Sequence, residues 1–180
     1  FLGEPVSALL PAGGSEWYAA LNLGHFGVKL HHTDDRGRSF NELPSPAYPP
    51  KPADLEDRDP MRHQPVPWTV QQIWSLEAGG APGELWCGTL PGGLFHSADG
   101  GRSWALVEGL WHHPDRRRWF GGGYDFAGIH SICVDPRDPR VVTVAVSCGG
   151  LWRTADGGKT WHSHGRGMRA EYMPPEQAED

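Results

Sequence analysis

The sequence predicts an all-β fold built from consecutive four-stranded antiparallel blades of a β-propeller. Three observations predict it: an eight-residue turn pattern occurs three times, each copy follows three short apolar strand segments, and Gly and Pro punctuate the whole chain. The three turns are Thr33 to Phe40, Ser97 to Trp104 and Thr154 to Trp161, and they align without gaps. Their common pattern is Ser/Thr, any, Asp, any, Gly, any, Ser/Thr, aromatic. The copies start about 60 residues apart, a long but acceptable spacing for blades with extended loops.

Each position of the turn has a physical role. The carboxylates of Asp35, Asp99 and Asp156 can accept hydrogen bonds from the N–H groups of a tight turn. Gly37, Gly101 and Gly158 suit a position that needs positive φ. The hydroxyl residues can tie the turn ends together, and the closing aromatic returns the chain to the sheet packing. The three aspartates are therefore read as structural staples of hairpins and not as catalytic acids.

The flanks repeat as well. A Gly-led strand precedes each turn: Gly27 to His31, Gly93 to His96, and Gly150 to Arg153. Further upstream lie Glu16 to Leu21, Glu84 to Gly88 and Val141 to Val146, and before those Val6 to Leu10, Ile73 to Leu76 and Ile129 to Val134. A fourth strand begins after the turn, as in Ser103 to Val107. Four short strands per repeat is the blade of a propeller. Blades are expected over about 5–44, 72–109 and 128–166, with loop-rich crossovers over 45–71, 110–127 and 167–180, the whole forming one partial propeller over 1–180. Propellers close with about four to eight blades, and open sheet edges are a liability. The three blades are thus expected to belong to a ring of about six or seven, the rest coming from a longer chain or a second copy.

Composition narrows the function classes. A formal net charge of −6 does not supply the basic footprint of a nucleic-acid partner. The one basic run, Arg116-Arg117-Arg118, reads as a solvated loop. No apolar run is long enough to span a membrane, and no signal peptide is visible. The compartment expected on those grounds is cytoplasmic, although the chain opens on Phe1 and its true N-terminus is read as missing. Cys87, Cys133 and Cys148 are not a disulfide framework, and Cys87 and Cys133 are expected to be buried thiols. Ten His are present, but none has the spacing of a strong metal signature, so no metal and no cofactor are expected.

The turn pattern resembles the Asp-box, or BNR, repeat of sialidases and other propellers, with Phe40 standing where Trp is usual. The chain is similar to bacterial proteins labelled as glycosyl hydrolases with BNR repeats, a label that names repeats and not an activity. The resemblance implies two classes of function. Retaining sialidases use a Tyr nucleophile assisted by Glu, an acid/base Asp and an Arg triad. Tyr124, Asp125, Glu171, Tyr172 and Arg169 are residue types that could serve so, but the Arg-Ile-Pro segment typical of sialidases is absent. Other Asp-box propellers, among them sorting receptors and photosystem assembly factors, bind without chemistry.

Strand alternation puts the Asp turns on one face of the propeller and the long crossovers on the other. Loops gathered on one side of a rigid scaffold are where function usually sits. The candidate catalytic residues on that face are Asp125, Glu171 and Tyr124; the candidate ligand contacts are His25, Trp111, His112, Trp119, His130, Arg169 and Tyr172. Aromatic rings with a few polar groups suit a carbohydrate or another flat, hydroxylated ligand. Ligand binding is the expected function, with glycoside hydrolysis by paired carboxylates as the alternative.

Overall fold

The computed structural model describes residues 3–168; Arg169, Glu171 and Tyr172 lie outside the described residues. Strands β1 to β12 form three separate four-stranded sheets, each a sequential antiparallel meander. The first blade contains β1 (Val6–Gly13), β2 (Glu16–Asn22), β3 (Val28–Thr33) and β4 (Asn41–Leu43). The second contains β5 (Gln72–Ala78), β6 (Leu85–Leu90), β7 (Leu94–Ser97) and β8 (Ala105–Leu106). The third contains β9 (Ile129–Val134), β10 (Val142–Val146), β11 (Gly150–Thr154) and β12 (His162–Ser163). The first strands pack beside each other, β1 against β5 and β5 against β9, as the innermost strands of propeller blades do.

Apolar residues fill the seams between blades. Leu10, Tyr18, Ala20 and Leu30 of the first blade meet Ile73, Leu85, Cys87 and Phe95 of the second. Trp86 and Leu94 of the second meet Ile129, Ile132, Val142 and Val144 of the third. Each blade is too thin to bury an apolar face alone, so its neighbour completes the core.

The three Asp turns share one hydrogen-bond pattern. In the second, the Ser97 hydroxyl donates to Asp99 Oδ1 (2.8 Å) and accepts from the Gly101 N–H (2.9 Å). Ser103 then donates twice to the same carboxylate, N–H to Oδ1 (2.9 Å) and hydroxyl to Oδ2 (2.6 Å). The first and third turns repeat these contacts around Asp35 and Asp156. Gly101 adopts φ 80°, where a side chain is strained, and packs on Leu43 and Leu30 of the preceding blade.

Hydrogen bonds from Ser103 and Ser97 hold the Asp99 carboxyl down at about 2, and the same kind of donors hold Asp35 and Asp156 below the carboxylate range. A depressed folded value stabilises the fold above the unfolded carboxyl value and loses that stabilisation as pH falls towards the folded one. The midpoint of thermal unfolding is therefore expected to drop between about pH 4 and pH 2. Asp99→Asn should show a shallower drop over the same range than the native chain.

Each Asp turn is bonded to the first hairpin of its own blade: Arg36 N–H to Ser15 O, Gly100 N–H to Gly83 O, and Gly157 N–H to Arg140 O. All these turns therefore occupy one end of the blades. The other end carries the β2–β3, β6–β7 and β10–β11 turns and the two long crossovers.

One irregularity recurs at that loop-rich end. The innermost strand of every blade carries a β-bulge at the same register, between Val6 and Ala8, Ile73 and Ser75, and Ile129 and Ser131. The extra residues are Ser7, Trp74 and His130. The third bulge also explains a correction: Cys133 is exposed and not a buried thiol. It shifts the alternation of β9, so that Ile132 is buried and Cys133 faces outward.

Candidate functional site

The two crossovers pack on one another over the loop-rich end. Asp57, 2 % exposed, anchors them. Its Oδ2 accepts from Arg116 Nη2 (2.7 Å) and from the Trp68 indole N–H (3.1 Å). Arg116 also donates from Nε to the Trp111 carbonyl (2.6 Å) and lies 3.9 Å over the Trp111 ring. The basic run is thus not uniformly solvated. Arg116 is drawn inward because a buried carboxylate demands a counter-charge, while Arg117 and Arg118 remain exposed.

The aromatic residues of the second crossover divide into two groups. Trp111 and Trp119 are 2 % and 6 % exposed. Trp111 is enclosed by Arg116, Tyr48 (4.8 Å between ring centroids) and Trp68 (5.3 Å). Trp119 packs on Trp152 (5.4 Å) and against Gly92 and Gly149. Both are core residues here. The second group is outside. Tyr124 is 44 % exposed and packs edge-on to Trp74 at 4.7 Å. His130 joins the cluster with its ring 5.8 Å from that of Trp74.

Local sequence explains this cluster. The turn Gly121–Tyr124 closes with a bond from Tyr124 N–H to Gly121 O (3.1 Å), and a Cβ on Gly121 would collide with that turn's own backbone. Phe126, buried with Val66 and Leu90 beside Trp74, fixes the chain after the turn. Bulges commonly re-aim side chains at functional sites, and here they bring Trp74 and His130 of neighbouring blades together. Gly128 leaves room for the Trp74 ring that lies on it.

Asp125 adds charge to the rim. Arg62 of the first crossover donates to Asp125 Oδ1 at 2.6 Å, with the two side chains 44 % and 65 % exposed. Arg62 is delivered by a turn wound around the buried carboxylate of Asp59, which accepts the N–H groups of Met61 (2.9 Å) and Arg62 (2.7 Å). Of the sequence candidates, Tyr124, Asp125 and His130 are thus brought to one region. His112 is exposed at the far end of the crossover, and His25 lies exposed on the β2–β3 turn beside Phe26, which is 81 % exposed. Sequence reasoning missed Asp57, Arg62 and Trp74. The bulge at Trp74 and the pairing of each charge depend on contacts between distant segments. The one local hint was the Asp57-x-Asp59 alternation in a Pro-rich stretch.

Among the described residues no group of three or more metal-capable side chains converges, and no helix is long and apolar enough to cross a membrane.

No family model matches the chain. It is 35 % identical over 83 residues to a probable oligoxyloglucan-reducing end-specific xyloglucanase of Neosartorya fischeri, a match that takes 46 % of this chain and 9 % of the fungal one. The corresponding xyloglucanase of Emericella nidulans is 35 % identical over 81 residues, 44 % of this chain and 9 % of its own. The match therefore spans about a tenth of the length of these curated relatives. Among solved structures, the GH74 xyloglucanase of Xanthomonas campestris superposes with a TM-score of 0.59 at 16 % identity, over 93 % of this chain and 24 % of that one. The GH74 enzyme of Niastella koreensis gives 0.55 at 18 % identity, over 88 % and 22 %. Three four-stranded antiparallel blades, superposable on propeller enzymes of this kind, make the chain an all-β propeller structure.

Proposed function

We propose that the chain supplies three Asp-box blades of a larger glycoside hydrolase-like propeller, with blades over about 5–44, 72–109 and 128–166, and that its loop-rich end binds a neutral glycan. The observation that carries this reading is the exposed Tyr124 ring, braced by Trp74 and bordered by the Arg62–Asp125 pair. A pyranose ring has an apolar face and a hydroxyl edge. The Tyr124 ring fits the first, and an adjacent donor and acceptor fit the second. His130 offers a further polar contact from the neighbouring innermost strand.

An acidic sugar fits this region less well. Arg62 and Arg116 are each matched by a carboxylate, so neither is free to clamp an anion there. The substrate class in the relatives' names, xyloglucan, is neutral, and it is the first glycan to try. Binding is preferred to hydrolysis on the carboxylates. Asp125 is already engaged by Arg62, and the pair offers a donor and an acceptor to ligand hydroxyls. Hydrolysis needs a second carboxyl about 5–10 Å away with room for substrate between them. Asp57 and Asp59 are buried and already hold the crossovers together.

The test is a panel of xyloglucan oligosaccharides and sialylated oligosaccharides, followed for binding and for release of reducing ends. Neutral oligosaccharides are expected to bind without turnover, and Tyr124→Ala to weaken them by about tenfold, or ~1.4 kcal/mol. Turnover that disappears in Asp125→Asn would replace this reading with a hydrolase. Binding confined to the sialylated members would overturn the neutral-glycan assignment.

A further inference from the structure

A pocket of about 310 Å³ lies at the far end of the second crossover, and Tyr124 is not part of its wall. Trp68 supplies an apolar wall, with Asp57 and Arg116 beside it and His112, His113 and Arg117 around it. The charges do not balance. Asp57 is the one carboxylate in the lining, and it already accepts from Arg116 and Trp68. Arg117 and His112 make no side-chain hydrogen bond or ion pair among the described residues.

His113 adds a third donor. Its Nδ1 accepts the N–H of Asp115 at 3.2 Å, so the neutral ring carries its proton on Nε2. The Asp115 carboxylate lies 3.9 Å from Nδ1, on the already occupied nitrogen, and is outside the lining. The ring is held by packing edge-on to Trp152 at 4.7 Å, and Pro114 fixes the chain just after it. Three uncommitted donors around one neutralised acid select a ligand rich in acceptors and negatively charged. The volume suits one sugar-sized ring.

We propose that this pocket binds an anionic group, carboxylate or phosphate, carried on a single sugar-sized ring. Arg117 takes the charge, His112 and His113 Nε2 donate to further oxygens, and Trp68 covers the apolar side. The site is separate from the Tyr124 cluster and stands whether or not a neutral glycan binds there.

The test is calorimetric titration of the full chain with glucuronate, glucose 6-phosphate and glucose. At least one anion is expected to bind, and glucose is not expected to bind to Tyr124→Ala, in which the neutral-glycan region is removed; which anion binds separates a carboxylate ligand from a phosphorylated one. Arg117→Gln combined with His112→Gln should weaken the anion at least about tenfold. Both side chains are outward-facing, so the fold should persist, as checked by circular dichroism. Tyr124→Ala should leave anion binding unchanged. Glucose bound as tightly as the anions in Tyr124→Ala, wild-type affinity in the double variant, loss of anion binding in Tyr124→Ala, or no binding of either anion up to about 10 mM would each overturn the proposal.

Discussion

Asp57→Ala is expected to destabilise the chain by about 3–5 kcal/mol, the largest effect of any single charge removal among the described residues. The loss comes from what is left behind. Arg116, whose side chain is 12 % exposed, would remain inside without a counter-charge, and the Trp68 indole would lose its acceptor. Both crossovers hang on this carboxylate, so their docking should loosen together. Urea unfolding measures the loss. Replacing both partners, Asp57→Leu with Arg116→Met, should recover much of it, because a buried pair stabilises little relative to apolar packing. A single substitution that costs less than about 1 kcal/mol would mean that Asp57 is solvated and the crossovers are not joined there.

Trp161→Ala is expected to cost about 3–5 kcal/mol by leaving a cavity under the third Asp turn. Trp161 is 2 % exposed, and its indole N–H donates to the Gly158 carbonyl at 3.0 Å. Gly158 in turn packs against Trp86 and Val107 of the second blade. The side chain therefore supports both its own turn and a blade seam. Phe40 occupies the same repeat position in the first blade but is only half-buried, and Phe40→Ala should cost clearly less. Comparing the two by urea unfolding distinguishes burial at a seam from the turn motif itself. Equal losses would assign the role to the turn.

Local rules explain why the blades were legible in the sequence. Period-two apolar segments, Gly-led strands and a repeated Asp turn are all contacts within a few residues. The loop-rich end obeys different constraints. Asp57 and Arg116 are 59 positions apart, and nothing near either residue announces the other. A run of three arginines looks solvated until a buried carboxylate claims one of them. Trp111 and Trp119 share their composition and loop with Tyr124, yet tertiary packing buries two rings and leaves one outside. Trp74 reads as an ordinary strand residue; the bulge that places it beside His130 is visible only in the register of β5 against β6. Cys133 fails for the same reason in β9.

The central claim is that recognition belongs to the loop-rich end and that the Asp-turn end is structural. Tyr124 and Arg102 separate the two, because Arg102 is an exposed residue of the second Asp turn. Affinity for a xyloglucan oligosaccharide should be measured in Tyr124→Ala and Arg102→Ala under identical conditions. The account predicts about tenfold weaker binding in the first and native binding in the second. Native binding in Tyr124→Ala together with a loss in Arg102→Ala would contradict it.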